Sequence, residues 1–266
     1  MLRFLWGAFA LACGIVQVCA GSAPPAEDSG STPMRFEWRR EGPADVCGAN
    51  CRVWVSAVGY ITADTAREFE EFAAKNPNAH GAVLVLDSDG GSVLGTLALG
   101  RAIRNLDMVT TIGKTVSLPG NGKDGARATL SPNASCESMC AFLLLAGSQR
   151  YVPPQAHVLV HQIWLGKKRK HALESNYSAE ELNVVQRDIG RLAQYTVEMG
   201  GGVELLETAL RIPPWEPLYR LSADELQRMR LNTIEAPFAQ KDTRVQSASA
   251  AASIATVGQQ HDAPAR

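Results

Sequence analysis

The chain has 266 residues, 45% of them hydrophobic and 20% charged, with a formal net charge of −1. That length supplies apolar surface for one globular core rather than two. Its 26 Lys and Arg are balanced by 27 Asp and Glu, which excludes the basic field that gathers nucleic acid.

The N-terminus reads as an export signal over residues 1–20. Met1-Leu2-Arg3 is a short basic start, Phe4 to Cys19 is almost wholly apolar, and Val18-Cys19-Ala20 before Gly21 is a small-residue cleavage pattern. The apolar run is short and poorly flanked for a membrane span, so an uncleaved anchor is the second reading. Lipidation at Cys13 ranks below both, because Ala10 stands where a large aliphatic residue is expected. The expected location is therefore the periplasm or the medium.

Residues 21–45 are rich in Pro, Gly, Ser and Glu and read as a flexible leader to a domain over 46–240. Arg52 to Ser56 is a short strand. Thr62 or Asp64 opens a helix with Phe69, Phe72 and Ala73 on one face. Ala82–Leu86 is a continuous aliphatic run, the pattern of a strand buried on both faces. Leu94–Leu106 reads as a helix, Val109–Ile112 as a strand, Phe142–Leu145 as helical and Ala156–Val160 as a strand. Ser178 begins a long amphipathic helix through Met199, closed by Gly200. The segment from Leu118 to Ala134, with two prolines and three glycines, reads as a long polar loop. Gly166 to His171 is a basic cluster, read as a solvated helix lead-in. Residues 241–266 read as a disordered tail. Alternating strands and helices predict an α/β fold with a mostly parallel sheet and flanking helices.

Four cysteines follow the signal: Cys47, Cys51, Cys136 and Cys140. An even number in an exported chain favours disulfides, and local pairing, Cys47 with Cys51 and Cys136 with Cys140, is the simplest of three connectivities. Four reduced thiols is the alternative. The spacing lacks the companions of a zinc site, so no metal is assigned, and none is assigned to Asp87 and Asp89.

Three stretches carry chemistry. Ser138 sits where a loop gives way to the apolar run Met139 to Ala146. His161 closes the β-branched run Val158-Leu159-Val160. Gly90-Gly91 ends the strand before Ser92. Each has an ordinary reading: Ser138 as a helix cap, His161 as a core residue, the glycines as a tight turn. Together they are a nucleophile, a base and a source of oxyanion-binding N–H groups. Trp164 and Trp215 are candidates for lining a substrate groove, with buried packing the favoured reading for each.

In order and spacing these stretches resemble the Clp protease proteolytic subunit (ClpP) family, from about Arg52 to Asn232. Asn76-Pro77, the Gly-Gly turn, Ser138-Met139 with Ala141-Phe142-Leu143-Leu144, Tyr151 to Gln162, and Leu221-Ser222-Ala223-Asp224-Glu225-Leu226 all fall in family order. The resemblance implies a ClpP/crotonase-like spiral of ββα units. It puts Ser138 on the nucleophile, His161 on the general base, and the N–H groups of Gly91 and Met139 on the oxyanion hole.

The chain also departs from the pattern. The family's aspartate, eight residues before Ser222, is replaced by Pro214, and Glu216 is the nearest acid. A Ser–His dyad, a triad completed by Glu216 and an inactive site all stay open. Lys114, Lys123 and Lys167 are weaker candidates for a lysine base. The function expected is an exported, ATP-independent serine peptidase without a cofactor or metal. Peptide or unfolded-protein substrates, a homo-oligomer and no ATPase or nucleic-acid partner complete the expectation. A catalytically weak or inactive peptide-binding module is the alternative, and an acyl-CoA enzyme of crotonase type is disfavoured by export.

Overall fold

The computed structural model describes residues 32–119, 127–165, 173 and 176–238. The expected signal segment, the basic cluster after His161 and the expected C-terminal tail lie outside them. The first strand, β1 (Arg35–Glu41), pairs antiparallel with β2 (Val53–Val58), from Arg35 opposite Val58 to Arg40 opposite Val53. The sheet therefore starts inside the segment expected as a leader over 21–45. Phe36 and Trp38 alternate with charged residues and pack on α2 (Thr65–Lys75), where the Phe36 and Phe69 rings are 5.0 Å apart. The Pro, Gly and Ser around this short alternation hid it at the sequence level.

Next come β3 (Val83–Asp87) and β4 (Val109–Ile112), parallel to β2 and to each other, then β8 (Gln149–Tyr151), parallel to β4. On the other flank β1 pairs parallel with β6 (Arg127–Ser131), which pairs antiparallel with β5 (Lys114–Ser117). The result is a seven-stranded, mostly parallel sheet in the order β5-β6-β1-β2-β3-β4-β8. Part of the expected loop from Leu118 to Ala134 is thus strand. Ala128 and Leu130 alternate toward the sheet's second core with Trp54, Val83 and Val85. The prolines and glycines on either side obscured that period. β3 is buried on both faces, Leu84 and Leu86 in the main core and Val83 and Val85 in the second.

The connecting helix α3 (Val93–Asn105) and α2 pack together, and α3 also packs on α4 (Met139–Leu144). At the start of α2 the expected caps act differently from a simple N-cap. Asp64 makes no side-chain cap bond, and the Thr62 N–H donates to Thr65 Oγ1 at 2.8 Å. The long helix α5 (Ala179–Glu198) carries the expected start, a reciprocal pair of bonds between Ser178 and Glu181. After it come α6 (Glu204–Arg211) and α7 (Ala223–Arg228).

A second, three-stranded sheet runs β10-β9-β7, with β7 at Ser135–Glu137, β9 at His157–Val160 and β10 at Tyr219–Arg220. It stands beside α4 and carries the segment of interest. Two arginines fasten the far end of α4. Arg104 donates to the carbonyls of Leu145, Ala146 and Gly147, and buried Arg150 donates to those of Leu145 and Met199. Carbonyls left open where α4 and α5 end thus find donors. Burial first, then Arg104 and Arg230, lowers the Arg150 pKa to about 10.

Both cysteine pairs form disulfides, Cys47–Cys51 at the end of α1 (Ala44–Cys47) and Cys136–Cys140. These bonds fit a chain that matures in an oxidising compartment. Among the described residues no helix is long and apolar enough to cross a membrane.

Candidate active site

The turn after β3 is fastened from three sides. The Glu137 N–H donates to the Ser88 carbonyl at 2.9 Å, tying the turn to β7. Ser88 Oγ donates to the Gly59 carbonyl at 2.6 Å and accepts from the Gly90 N–H at 3.1 Å. Ser92 then caps α3, accepting the Gly95 N–H at 3.1 Å. Gly90 has φ +91°, and a Cβ there would lie 2.6 Å from the Glu137 carbonyl oxygen, 2.8 Å from the Met139 nitrogen and 2.9 Å from Ser138 Cβ. Only a glycine lets this turn press directly against the serine turn.

Ser138 lies between β7 and α4 with φ 55° and ψ −118°, a conformation L residues rarely adopt. Such a backbone costs about 1–3 kcal/mol, which the surroundings must over-determine. They do so through the Ser138 N–H, which donates to the Leu159 carbonyl of β9 at 2.8 Å, and through the Cys136–Cys140 bond around it. The Ser138 side chain makes no cap bond to α4. The ordinary reading of this serine as a helix cap therefore does not hold.

His161 follows the last residue of β9, two positions beyond the carbonyl that holds the Ser138 backbone. Ser138, Met139, Gly91 and His161 all line one narrow cleft of about 90 Å³. Met139 is the first residue of α4, where a helix has no internal acceptor for its N–H. Among the described residues, neither the Met139 nor the Gly91 N–H donates to a backbone carbonyl. Ser138, His161 and the Gly91 and Met139 backbones thus meet at a single place in the fold.

One wall of the cleft is apolar: Val93, Phe142, Ile163, Leu192, Leu206 and Leu210 come from α3, α4, α5, α6 and the segment that follows β9. Elsewhere Tyr60, Asp89 and Trp164 line it. Trp164, for which the sequence favours packing over a groove role, lines this cleft and stacks edge-on against Tyr177 at 4.8 Å and Trp215 at 6.3 Å, while Trp215 is 50% exposed rather than buried. Tyr60 and Leu206 gave no sequence signal, since nothing in their neighbourhoods marks them apart from core or surface.

The stretch that would carry a triad acid runs beside His161. The Gln162 N–H donates to the Ile212 carbonyl at 2.9 Å, and Tyr219 of β10 pairs with Val160 of β9. Between these anchors Pro214 is buried and its ring offers no acceptor. Glu216 is exposed and is not among the residues lining the cleft. Lys114 lies on β5, outside the cleft lining, while Lys123 and Lys167 fall outside the described residues. Burial raises the pKa of Asp87, at the end of β3, with Lys114 opposing the rise and Asp89 adding to it.

No protein-family model matches the chain, and no curated protein matches it significantly.

Proposed function

We propose that this protein is an exported serine hydrolase of ClpP type, a peptidase that works by acyl transfer in the periplasm or the medium. The observation that carries the reading is one constellation. A strained serine whose hydroxyl caps nothing shares a cleft with His161 and with two N–H groups that have no backbone acceptor. In this reading His161 takes the Ser138 hydroxyl proton as Oγ bonds to the scissile carbonyl carbon. The Gly91 and Met139 N–H groups receive the oxyanion. The tetrahedral intermediate collapses, the carbon–nitrogen bond breaks, and His161 hands its proton to the leaving amine. A water then gives a proton to His161 as its oxygen bonds to the acyl carbon, the bond to Ser138 Oγ breaks to release the acid, and His161 returns the proton to Oγ.

The resemblance to ClpP and the order of the sheet both support a spiral of ββα units as the fold type. The apolar wall suits an apolar side chain of the substrate, so short peptides, unfolded segments or a membrane-protein tail are the substrate class. No ATPase partner enters, because an exported protein has no ATP to draw on. His161 then works in a dyad, with its ring held by a group other than an aspartate at position 214. Hydrolysis of a blocked fluorogenic peptide by the purified protein, lost in Ser138→Ala and in His161→Ala, tests this. Equal rates in all three proteins overturn it.

The buried Pro214 favours a second reading. With no acid where the family places one, the cleft would bind peptides without cleaving them. Peptide binding that persists while no product forms over neutral to alkaline pH would select it.

A further inference from the structure

Asp89 is out of place in the cleft it lines. It sits on the Gly90-Gly91 turn, partly buried, and it is the acidic side chain among lining residues that are otherwise apolar, aromatic or neutral apart from His161. A capping role does not account for it, because Ser92 caps α3. Among the described residues Asp89 makes no hydrogen bond and joins no ion pair, and no lysine or arginine lines the cleft. Asp87 lies two residues away and is its electrostatic opponent rather than its partner.

An unpaired carboxylate here works against the chemistry proposed above. It lines the same cleft as Gly91, whose N–H group would receive an oxyanion, and like charges repel there. The arrangement makes physical sense when a positive charge arrives with the ligand. Tyr60 and Trp164 line the same cleft, and aromatic rings beside a carboxylate are the surroundings that hold an ammonium or guanidinium group.

We infer that Asp89, with Tyr60 and Trp164, is a specificity-determining residue that recognises a positively charged group of the substrate and selects cationic peptides. This rests on the peptide-cleft reading of the site, and not on turnover. The positive group is a lysine or arginine side chain, or the free amino end of a peptide. In either case it neutralises Asp89 as it binds, leaving the Gly91 and Met139 N–H groups to act on the carbonyl oxygen.

Binding to the Ser138→Ala protein tests the inference separately from catalysis. The probes are alanine-based hexapeptides, blocked at both ends, in which one lysine is scanned through the positions, each matched by a norleucine peptide. A further pair differs only in a free or acetylated amino end. At one position at least, or at the free amino end, the charged peptide should bind about tenfold tighter than its neutral match at low salt. That ratio should fall toward one in Ser138→Ala/Asp89→Asn, and toward one in the single variant as salt rises. Scanned lysine alone prevailing identifies a side-chain site; the free amino end alone prevailing identifies an end-recognition site. Equal binding of charged and neutral peptides throughout, or a preference unchanged by Asp89→Asn, overturns the inference. The hydrolase reading stands or falls separately, on whether the unsubstituted protein cleaves a peptide at all.

Discussion

Cys136 and Cys140 are joined by a disulfide that spans Ser138, their Cα atoms 5.2 Å apart. Both cysteines are fully buried, one at the centre of β7 and one in the first turn of α4. The bond thus ties the strand before the strained serine to the helix after it. The loop it closes is short, so its loss should lower stability by only about 2 kcal/mol. Misplacing a reacting atom by a fraction of an ångström is costlier. Cys136→Ala/Cys140→Ala is expected to slow labelling of Ser138 by a fluorophosphonate by roughly tenfold or more while the melting temperature falls modestly. Labelling kinetics and thermal melts on the same preparation check this.

Gly90 presses on the same turn from the other side. Gly90→Ala puts a methyl within 3 Å of Glu137, Met139 and Ser138 and forces alanine to φ +91°. The expected outcome is a loss of about 2 kcal/mol or more in stability and a fall of roughly a hundredfold in labelling rate. Denaturant titration alongside labelling separates the two effects.

Much of this site was legible because its residues lie at element ends that sequence marks well. Val158 to Val160 is a β-branched run, so His161 stands where a strand stops; Gly90 and Gly91 break an aliphatic strand; Ser138 precedes an apolar run. What failed to show were features with weak local period or long-range causes. β1 is seven residues with two aromatics in a Pro- and Gly-rich neighbourhood. β6 hides among prolines and glycines, yet is held by Trp54, Val83 and Val85 from distant parts of the chain. The place of Trp164 and Asp89 in the cleft depends on how β9 and the turn after β3 meet, which no local pattern encodes. Glu216 was the nearest acid in sequence, but two prolines and the short pairing of β10 leave it exposed.

The meeting of the end of β1 with the start of β2 offers a pH test. Arg52 donates to both carboxylate oxygens of Glu41, and its N–H donates to Glu41 Oε2 at 3.1 Å. The side-chain bond from Arg52, only partly opposed by burial, holds the Glu41 pKa below its ordinary value of 4.5. A depressed carboxyl pKa stabilises the fold above the unfolded value and loses that contribution as pH falls through the folded one. The pair is partly exposed, so Glu41→Gln should cost no more than about 1 kcal/mol near neutrality. Denaturant titrations at several pH values should show the gap from the unsubstituted protein closing below about pH 4.

Arg150 is the buried fastening of the far end of α4. Arg150→Met removes a donor that Leu145 and Met199 share, although Arg104 still reaches both carbonyls. We expect a loss of about 2–3 kcal/mol, larger than for a surface arginine, measured by denaturant unfolding.

The central claim is that Ser138 is a nucleophile activated by His161. Intact-mass spectrometry of the purified protein after exposure to a fluorophosphonate, with peptide mapping of the adduct, addresses it most directly. The account predicts one adduct, on Ser138, that is absent in Ser138→Ala and slowed by roughly a hundredfold or more in His161→Ala. No adduct from neutral to alkaline pH, or an adduct on another residue, would contradict it.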